Sequence, residues 1–332
     1  MKIIKIIFSV VLISLNTSSI LIAEDFNSWL ISFKNYALTK GISKETLDKT
    51  MSNVKFLPKV IKYDRYQPEF YEDTNTYIRK RSSDAKLENG VELFIKNNSL
   101  ILNVESKFNV EKELLLSLMG IETNFGKYLG KMDILSSLAT LSYDKRRSEF
   151  FTNELITILK LIDSGIVNSD ILYGSWAGAF GNFQFMPSTI NNYALDYDND
   201  DLIDLKSTED SFASAANYIN KLGWEMNGPC FYKIKLKENI PIKYLNTSAK
   251  KIKNKRKYKN FKKYIFNSEN LKIDDNLITG IITPDREIVE NSKLLEPAYL
   301  VFDNYELILK WNRSLRFALA VCTLKDKFKN EL

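Results

Sequence analysis

Glu122 ends a stretch, Asn109 to Glu122, in which Leu115, Leu118, Met119 and the glutamate recur at separations of three, four and seven residues and so share one helical face. A carboxyl group on an apolar face loses water, which disfavours its charged form and lets it stay protonated near neutral pH, as a general acid must. The same spacing fits a fraying last turn, because Thr123-Asn124-Phe125-Gly126 stops a helix, and the carboxylate then reaches water. The chain contains no histidine. Ser-His-Asp and Cys-His nucleophile systems are thereby excluded, with every zinc site that needs imidazole, and proton transfer near neutral pH falls to carboxylates or to a perturbed Lys, Tyr or Cys.

A second cluster of oxygens lies at Asp196, Asp198, Asp200 and Asp204, loop positions 1, 3, 5 and 9 of an EF-hand numbering that gives the backbone-carbonyl position to Leu202. Asp201 stands where that loop has its turn glycine, and Ser207 where it has its closing glutamate. The segment is either a Ca²⁺ loop or a solvated acidic turn, and Ca²⁺ is favoured. The glycines at 174, 178 and 181 let backbones approach, and they lack the Lys-Ser/Thr ending of a phosphate-binding loop.

The elements that must carry these residues are mostly helical. Asn109 reads as the N-cap of the Glu122 helix, with Glu111 in its first turn. From Phe26 to about Leu118, apolar residues recur at three- and four-residue steps broken by short turns, and helices continue to about Gly223. After Trp224 the pattern alternates, as in Phe231-Tyr232-Lys233-Ile234-Lys235-Leu236, which predicts strands. The expected fold is mainly α with a β part (α+β): a helical N-terminal domain over 24–108, a helical core over 109–224, a small β-rich region over 225–298 and a C-terminal segment over 299–332 that returns to the core.

Several motifs in order give a resemblance. Gly120-Ile121-Glu122-Thr123-Asn124-Phe125-Gly126 is similar to the catalytic motif of the membrane-bound lytic transglycosylase B family, whose core is lysozyme-like. The similarity continues through Leu138 to Tyr143, Arg146-Arg147, Phe150 to Leu155 and, most strongly, Gly174 to Ser188. Gln67-Pro68-Glu69-Phe70, Asn217-Tyr218, Gly223-Trp224, Trp311 to Ser314 and Phe317 to Val321 match as well. The resemblance implies that Glu122 is the acid/base and Ser175 the hydroxyl near it. It implies that Gln184, Phe185 and Met186 hold an N-acetyl sugar, and that Tyr218, Trp311, Asn312, Phe317, Arg146 and Arg147 contact substrate. Trp311 and Phe317 stand where the family often has tyrosine, and Phe317 lacks the hydroxyl. The closing acid of the metal loop becomes Asp210, which gives Asp196, Asp198, Asp200, Leu202 and Asp210 as ligands of a structural Ca²⁺.

Most glycosidases use two carboxylates, and the motifs supply one. The family's chemistry resolves this. Glu122 protonates the glycosidic oxygen, the N-acetyl group supports the cation, and Glu122 then takes the proton of the sugar's own 6-hydroxyl, leaving a 1,6-anhydro ring. No cofactor is expected for this chemistry. A muramidase that uses water and a non-catalytic wall-binding protein are the rivals.

The start of the chain, with Lys2 and Lys5, an apolar run from Ile6 to about Leu15 and Ala23 before Glu24-Asp25, reads as a signal peptide over 1–23. A periplasmic protein without a transmembrane anchor after processing is expected, partnered by peptidoglycan strands and by wall-remodelling proteins. Cys230 and Cys322 could form one disulfide there, and two free buried thiols are the favoured reading. Nine Lys or Arg fall between Lys250 and Lys263 with no acid among them, and setting them aside turns the net charge of +6 negative. This run is expected to be a solvated, flexible insertion, and not a nucleic-acid site.

Overall fold

The computed structural model describes residues 25–66, 72–286 and 288–332. The expected signal peptide and the Gln67-Pro68-Glu69-Phe70 motif lie outside the described residues. In chain order the first elements are helices α1 (residues 25–39), α2 (Lys44–Met51), α3 (Pro58–Arg65), α4 (Thr74–Arg81), α5 (Asp84–Lys96), α6 (Asn98–Phe108) and α7 (Lys112–Thr123). Strand β1 (Met132–Asp133), α8 (Ile134–Tyr143), α9 (Ser148–Asp163), strand β2 (Tyr173–Gly174), α10 (Pro187–Tyr193) and α11 (Thr208–Lys221) follow. Strands β3 (Phe231–Ile234), β4 (Leu245–Asn246), β5 (Arg256–Lys257), β6 (Ile278–Ile282) and β7 (Ala298–Val301) precede α12 (Asp303–Trp311) and α13 (Leu315–Glu331). Many of the helices start where a short polar side chain can take over an orphan amide: Ser43, Asp73, Asp133, Ser207 and Ser314 each accept from the backbone N–H three residues on.

Two compact units result, and they do not follow the sequence-order boundaries expected above. Of the described residues, the first comprises those up to Tyr66, Leu129–Asn192 and Asn199–Asp204; the second comprises those from 72 to Tyr128, Tyr193–Asp198 and those from Leu205 to Leu332. The helical N-terminal stretch is thus shared out between them at Tyr66.

In the first unit α8 and α9 form the centre, and the segment leading into α3 is held on α8 by two hydroxyls. Ser136 Oγ accepts from Lys55 N at 3.0 Å and Thr140 Oγ1 from Leu57 N at 2.9 Å. Phe26, Trp29, Phe56 and Tyr143 pack ring against ring beside them. β1 and β2 pair antiparallel, Met132 opposite Gly174.

In the second unit α7 is buried along Glu113–Gly120, beyond the single apolar face its spacing predicts, and it packs against α13, α5, α6 and α11. The sheet runs β3-β7-β6-β4, with β5 paired to β6. Three expectations are corrected here. Asn109 is not the N-cap of α7: it takes φ 54° and terminates α6, while Glu111 is the cap residue. Asparagine tolerates that left-handed conformation because its short side chain can hydrogen-bond locally. The basic run is not a flexible insertion, since Ile252, Tyr258 and Phe261 are 2%, 0% and 1% exposed, with Tyr258 and Phe261 in the apolar core of the sheet region. Apolar anchors recurring between the lysines hold the backbone down while the charges point outward. The cysteines are not free: Cys230, just before β3, and Cys322, on α13, form a disulfide with Cα atoms 6.2 Å apart. They lie 92 positions apart in sequence, and only the fold brings them within bridging range.

Candidate active site

Glu122 sits in the last turn of α7, and both ends of that helix are tied down inside the second unit. At the start, the buried Glu111 carboxylate accepts from Trp224 Nε1 at 2.6 Å and lies 3.4 Å from Lys325 Nζ. At the end, Lys86 from α5 donates its ammonium to the Gly120 carbonyl and, at 3.2 Å, to Asn124 Oδ1. Burial, with Arg81 nearby, holds the Lys86 ammonium below the usual lysine range. A negative group at the amino end and a positive one at the carboxyl end both complement the helix dipole.

The last turn does not fray. Asn124 N donates to Gly120 O, Gly126 N to Thr123 Oγ1 and Tyr128 N to Thr123 O. Asn124, Phe125 and Gly126 all take positive φ, at 50°, 59° and 79°, which turns the chain away directly after the glutamate. For phenylalanine that conformation costs about 1–2 kcal/mol. Its ring is accommodated over Gly120, where an added Cβ would come within 2.7 Å of Phe125 Cζ.

Glu122 is half-buried, and Trp311 Nε1, at the end of α12, donates to its Oε1 at 2.9 Å. Tyr218 stacks on Trp311 at 5.2 Å between ring centroids and on Tyr193 at 4.4 Å, and its hydroxyl donates to Lys310 O. Burial, then the neighbouring Tyr193, pushes the Tyr218 phenol up, so it stays a neutral donor. A carboxylate at the end of an aromatic row, with an indole donor on one oxygen, is a place where a sugar ring can stack while its glycosidic oxygen meets the acid. Asn312, next along, is half-buried, and its backbone forms the turn into α13.

In the first unit the expected sugar-binding residues are brought together on one tight loop. Ser175 Oγ accepts from Ala177 N at 3.3 Å and Ala179 N at 3.0 Å, so the hydroxyl organises the turn and keeps its own proton to donate. Gly178, at φ 87°, has no room for a Cβ, which would fall 2.4 Å from Leu138 Cδ2. Gln184 takes φ 50°, and its Nε2 donates to Leu129 O and Gly181 O, leaving the amide oxygen as the end that can accept from a ligand. Met186 is half-buried at the head of α10, whose start is capped by buried Glu154 through Ser188 N at 2.8 Å and Oγ at 2.7 Å.

Two expected substrate contacts are buried, and two are partly exposed members of an ion-pair cluster. Phe185 is 3% exposed, and its backbone pairs with Phe180 to close the loop, so its ring belongs to the core and not to a groove surface. Phe317 is likewise 3% exposed in the first turn of α13 and offers no face to a sugar. Apolar rings without a polar handle gain most by full burial. Arg146 and Arg147 direct their guanidinium groups onto the buried Asp64 carboxylate of α3, Arg146 Nε at 2.7 Å. Asp64, Lys86, Glu154 and Tyr193 were not singled out from the sequence, and Glu111 was read only as a first-turn acid; of the four, only Glu154, inside a matching motif, carried a local signal.

The carboxylates of Asp196, Asp198 and Asp210 lie within 4.8 Å of one another. Asp210 is buried and accepts from Tyr197 N at 2.7 Å. Three carboxyl groups so close repel unless a cation or protons intervene, and an all-oxygen set suits a hard ion such as Ca²⁺. Asp200 accepts from Leu202 N at 2.9 Å. Asp201, at the position of the missing glycine, takes φ 68°, so an aspartate supplies the left-handed turn that glycine would.

The chain matches the transglycosylase SLT domain over residues 25–326. It is 36% identical over 149 residues to membrane-bound lytic murein transglycosylase B of Escherichia coli K12, an alignment covering 45% of this chain and 41% of that protein, which is under half of the relative's length. SltB3 from Pseudomonas aeruginosa, solved in complex with NAG-NAM-pentapeptide, shares its fold with a TM-score of 0.80 at 29% identity, over 92% of this chain and 79% of that one. The Escherichia coli lytic transglycosylase Slt35, solved in complex with calcium, has a TM-score of 0.76 at 24% identity, over 91% and 93% of the two chains, a likeness of fold. The architecture is therefore the lysozyme-like, mainly helical one with a small sheet region, and the chain belongs to the transglycosylase SLT domain family.

Proposed function

We propose that this protein is a periplasmic lytic transglycosylase that cleaves the MurNAc–GlcNAc bond of peptidoglycan with Glu122 as its single acid/base. The observation that carries the reading is the carboxylate at the end of the buried α7, with the Trp311 indole at 2.9 Å on one oxygen, in a chain matched to the family over residues 25–326. Glu122 gives its proton to the leaving glycosidic oxygen. The N-acetyl carbonyl of the muramic acid supports the cation that develops, and the carboxylate then takes the proton of that sugar's 6-hydroxyl as its oxygen closes on the anomeric carbon. Each bond broken is matched by one formed, and no water enters. An attacking hydroxyl already on the ring has a high effective molarity, which lets it outrun solvent. The P. aeruginosa relative SltB3 has also been solved with NAG-anhNAM-pentapeptide, which carries an anhydro end of this kind. Ser175 and Gln184 are proposed to position the N-acetyl sugar, and Tyr218, Trp311 and Asn312 to contact the strand. Asp196, Asp198 and Asp210 are proposed to hold a structural Ca²⁺, with no part in the chemistry.

Glu122→Gln keeps the size and much of the hydrogen bonding but cannot shuttle a proton. Turnover on purified sacculi is expected to fall by about a hundred- to ten-thousand-fold with folding retained, and wild-type products to end in 1,6-anhydromuramic acid. A defect of only a few-fold would assign the chemistry to another residue, and reducing ends that carry oxygen from labelled water would establish the hydrolytic rival.

A further inference from the structure

The basic run is a built surface that the proposed reaction does not use. β5 and the turns after it are fixed from within: Tyr258 and Phe261 are buried, Tyr258 N donates to Leu277 O at 2.9 Å and Lys259 N to Asp275 O at 3.1 Å. From this rigid base, Arg256, Lys259, Asn260 and Lys263 surround a cleft of about 390 Å³ walled by Tyr244 and Tyr264 and floored by Phe261. The two tyrosine rings are 6.2 Å apart, Tyr244 meets Phe261 edge to face at 5.3 Å, and Lys263 Nζ lies 5.0 Å over the Tyr264 ring.

The charges here are of two kinds. Lys255 is neutralised by Asp303 and Glu306, and Lys262 by Asp275. Arg256, Lys259 and Lys263 enter no ion pair among the described residues, and all three border the same cleft. Cations that converge on a concavity with aromatic walls focus their field there and favour an anion with some flat or apolar body of its own. The volume lies in the range that takes a small organic ligand.

We infer that this cleft is an accessory site for the carboxylate-bearing peptide stems of peptidoglycan. The inference rests on the proposed substrate. A strand bearing peptides at intervals presents carboxylates along its length, and a second hold on the same polymer raises its effective concentration at the acid. A bilayer surface would reward a flat basic face with apolar side chains that insert between lipids, whereas these charges border a concave cleft.

The test is a binding measurement, made in the Glu122→Gln background so that the polymer stays intact. The triple substitution Arg256→Gln, Lys259→Gln, Lys263→Gln removes exposed charge only, and an unchanged thermal midpoint verifies the fold. Intact sacculi at low salt are expected to bind the triple variant about ten-fold more weakly, the scale of three exposed charge contacts. The difference should vanish in about 0.5 M salt, and should be absent on sacculi whose stems an amidase has removed. Equal binding to intact sacculi overturns the inference, as does an equal loss on stripped sacculi, or a loss confined to anionic phospholipid vesicles. Because no step requires turnover, charge-dependent stem binding by a protein that proves catalytically silent would sink the proposed activity and leave this site standing.

Discussion

Trp311→Phe separates two roles for the residue beside Glu122. As a sugar-stacking contact, Trp311 needs a flat face; as a positioning residue, it needs the indole N–H that donates to Glu122 Oε1 at 2.9 Å. Phenylalanine keeps a ring against Tyr218, 5.2 Å away, and deletes the donor. An N–H that can only donate bonds more strongly to the carboxylate formed as the proton leaves than to the protonated acid before it. A hydrogen bond to a charged acceptor is worth about 1.5–3 kcal/mol against about 0.5–1.5 for a neutral one. Roughly 1–1.5 kcal/mol is therefore realised only as the transition state is reached, a drop of about five- to ten-fold in kcat. The assay is steady-state cleavage of a soluble glycan oligomer, with kcat and KM resolved. A kcat within two-fold of wild type refutes the positioning role, and a rise in KM alone returns Trp311 to the sugar.

Two further predictions concern the frame. Replacing both Cys230 and Cys322 by alanine should cost up to about 4.6 kcal/mol in guanidinium unfolding, the loop-closure value for a sequence separation of 92; two thiols titrating in the denatured, unreduced wild type would show that the bridge does not form. Ca²⁺ should raise the thermal midpoint, by about 2.7 kcal/mol of stability at a hundred times its dissociation constant, and exposed Asp198→Asn should abolish the gain; a midpoint indifferent to both Ca²⁺ and chelator would leave the acidic loop without a metal role.

The helical core, the strands after Trp224 and the position of Glu122 were legible because each is written as a period or a motif. Periodicity reports one partner face, and so it underestimated α7, which is buried all round from Glu113 to Gly120. The basic run misled for a related reason. Its charges dominate the composition, while the residues that fix its structure, Ile252, Tyr258 and Phe261, are a minority spaced between them. Asn109 misled because asparagine serves at both ends of a helix, and only φ tells which end is meant. The disulfide and the Asp64–arginine cluster were invisible: each joins positions tens of residues apart, and no local pattern encodes the meeting.

Other long-range contacts fix where the Glu122 carboxyl sits. A catalytic carboxyl must be held to a fraction of an ångström, and a glutamate in the last turn of a helix is ordinarily the least constrained place to put one. Here the turn is closed by Lys86 on the Gly120 carbonyl and Thr123 on the Gly126 amide, and the carboxylate itself by Trp311. At the far end Glu111 is anchored by Trp224 and Lys325. Apart from Thr123, on α7 itself, these partners come from separate stretches of the second unit: displacing α12 would remove the direct contact to the glutamate, and displacing α5 or α13 would loosen the helix that carries it. The positive φ at Phe125 belongs to the same logic: a backbone conformation unfavourable in isolation persists because the ring over Gly120 and the hydrogen bonds around it over-determine it. The placement of this carboxyl is thus a property of how the helices of this unit are tied together, and the motif around it marks only where that tie converges.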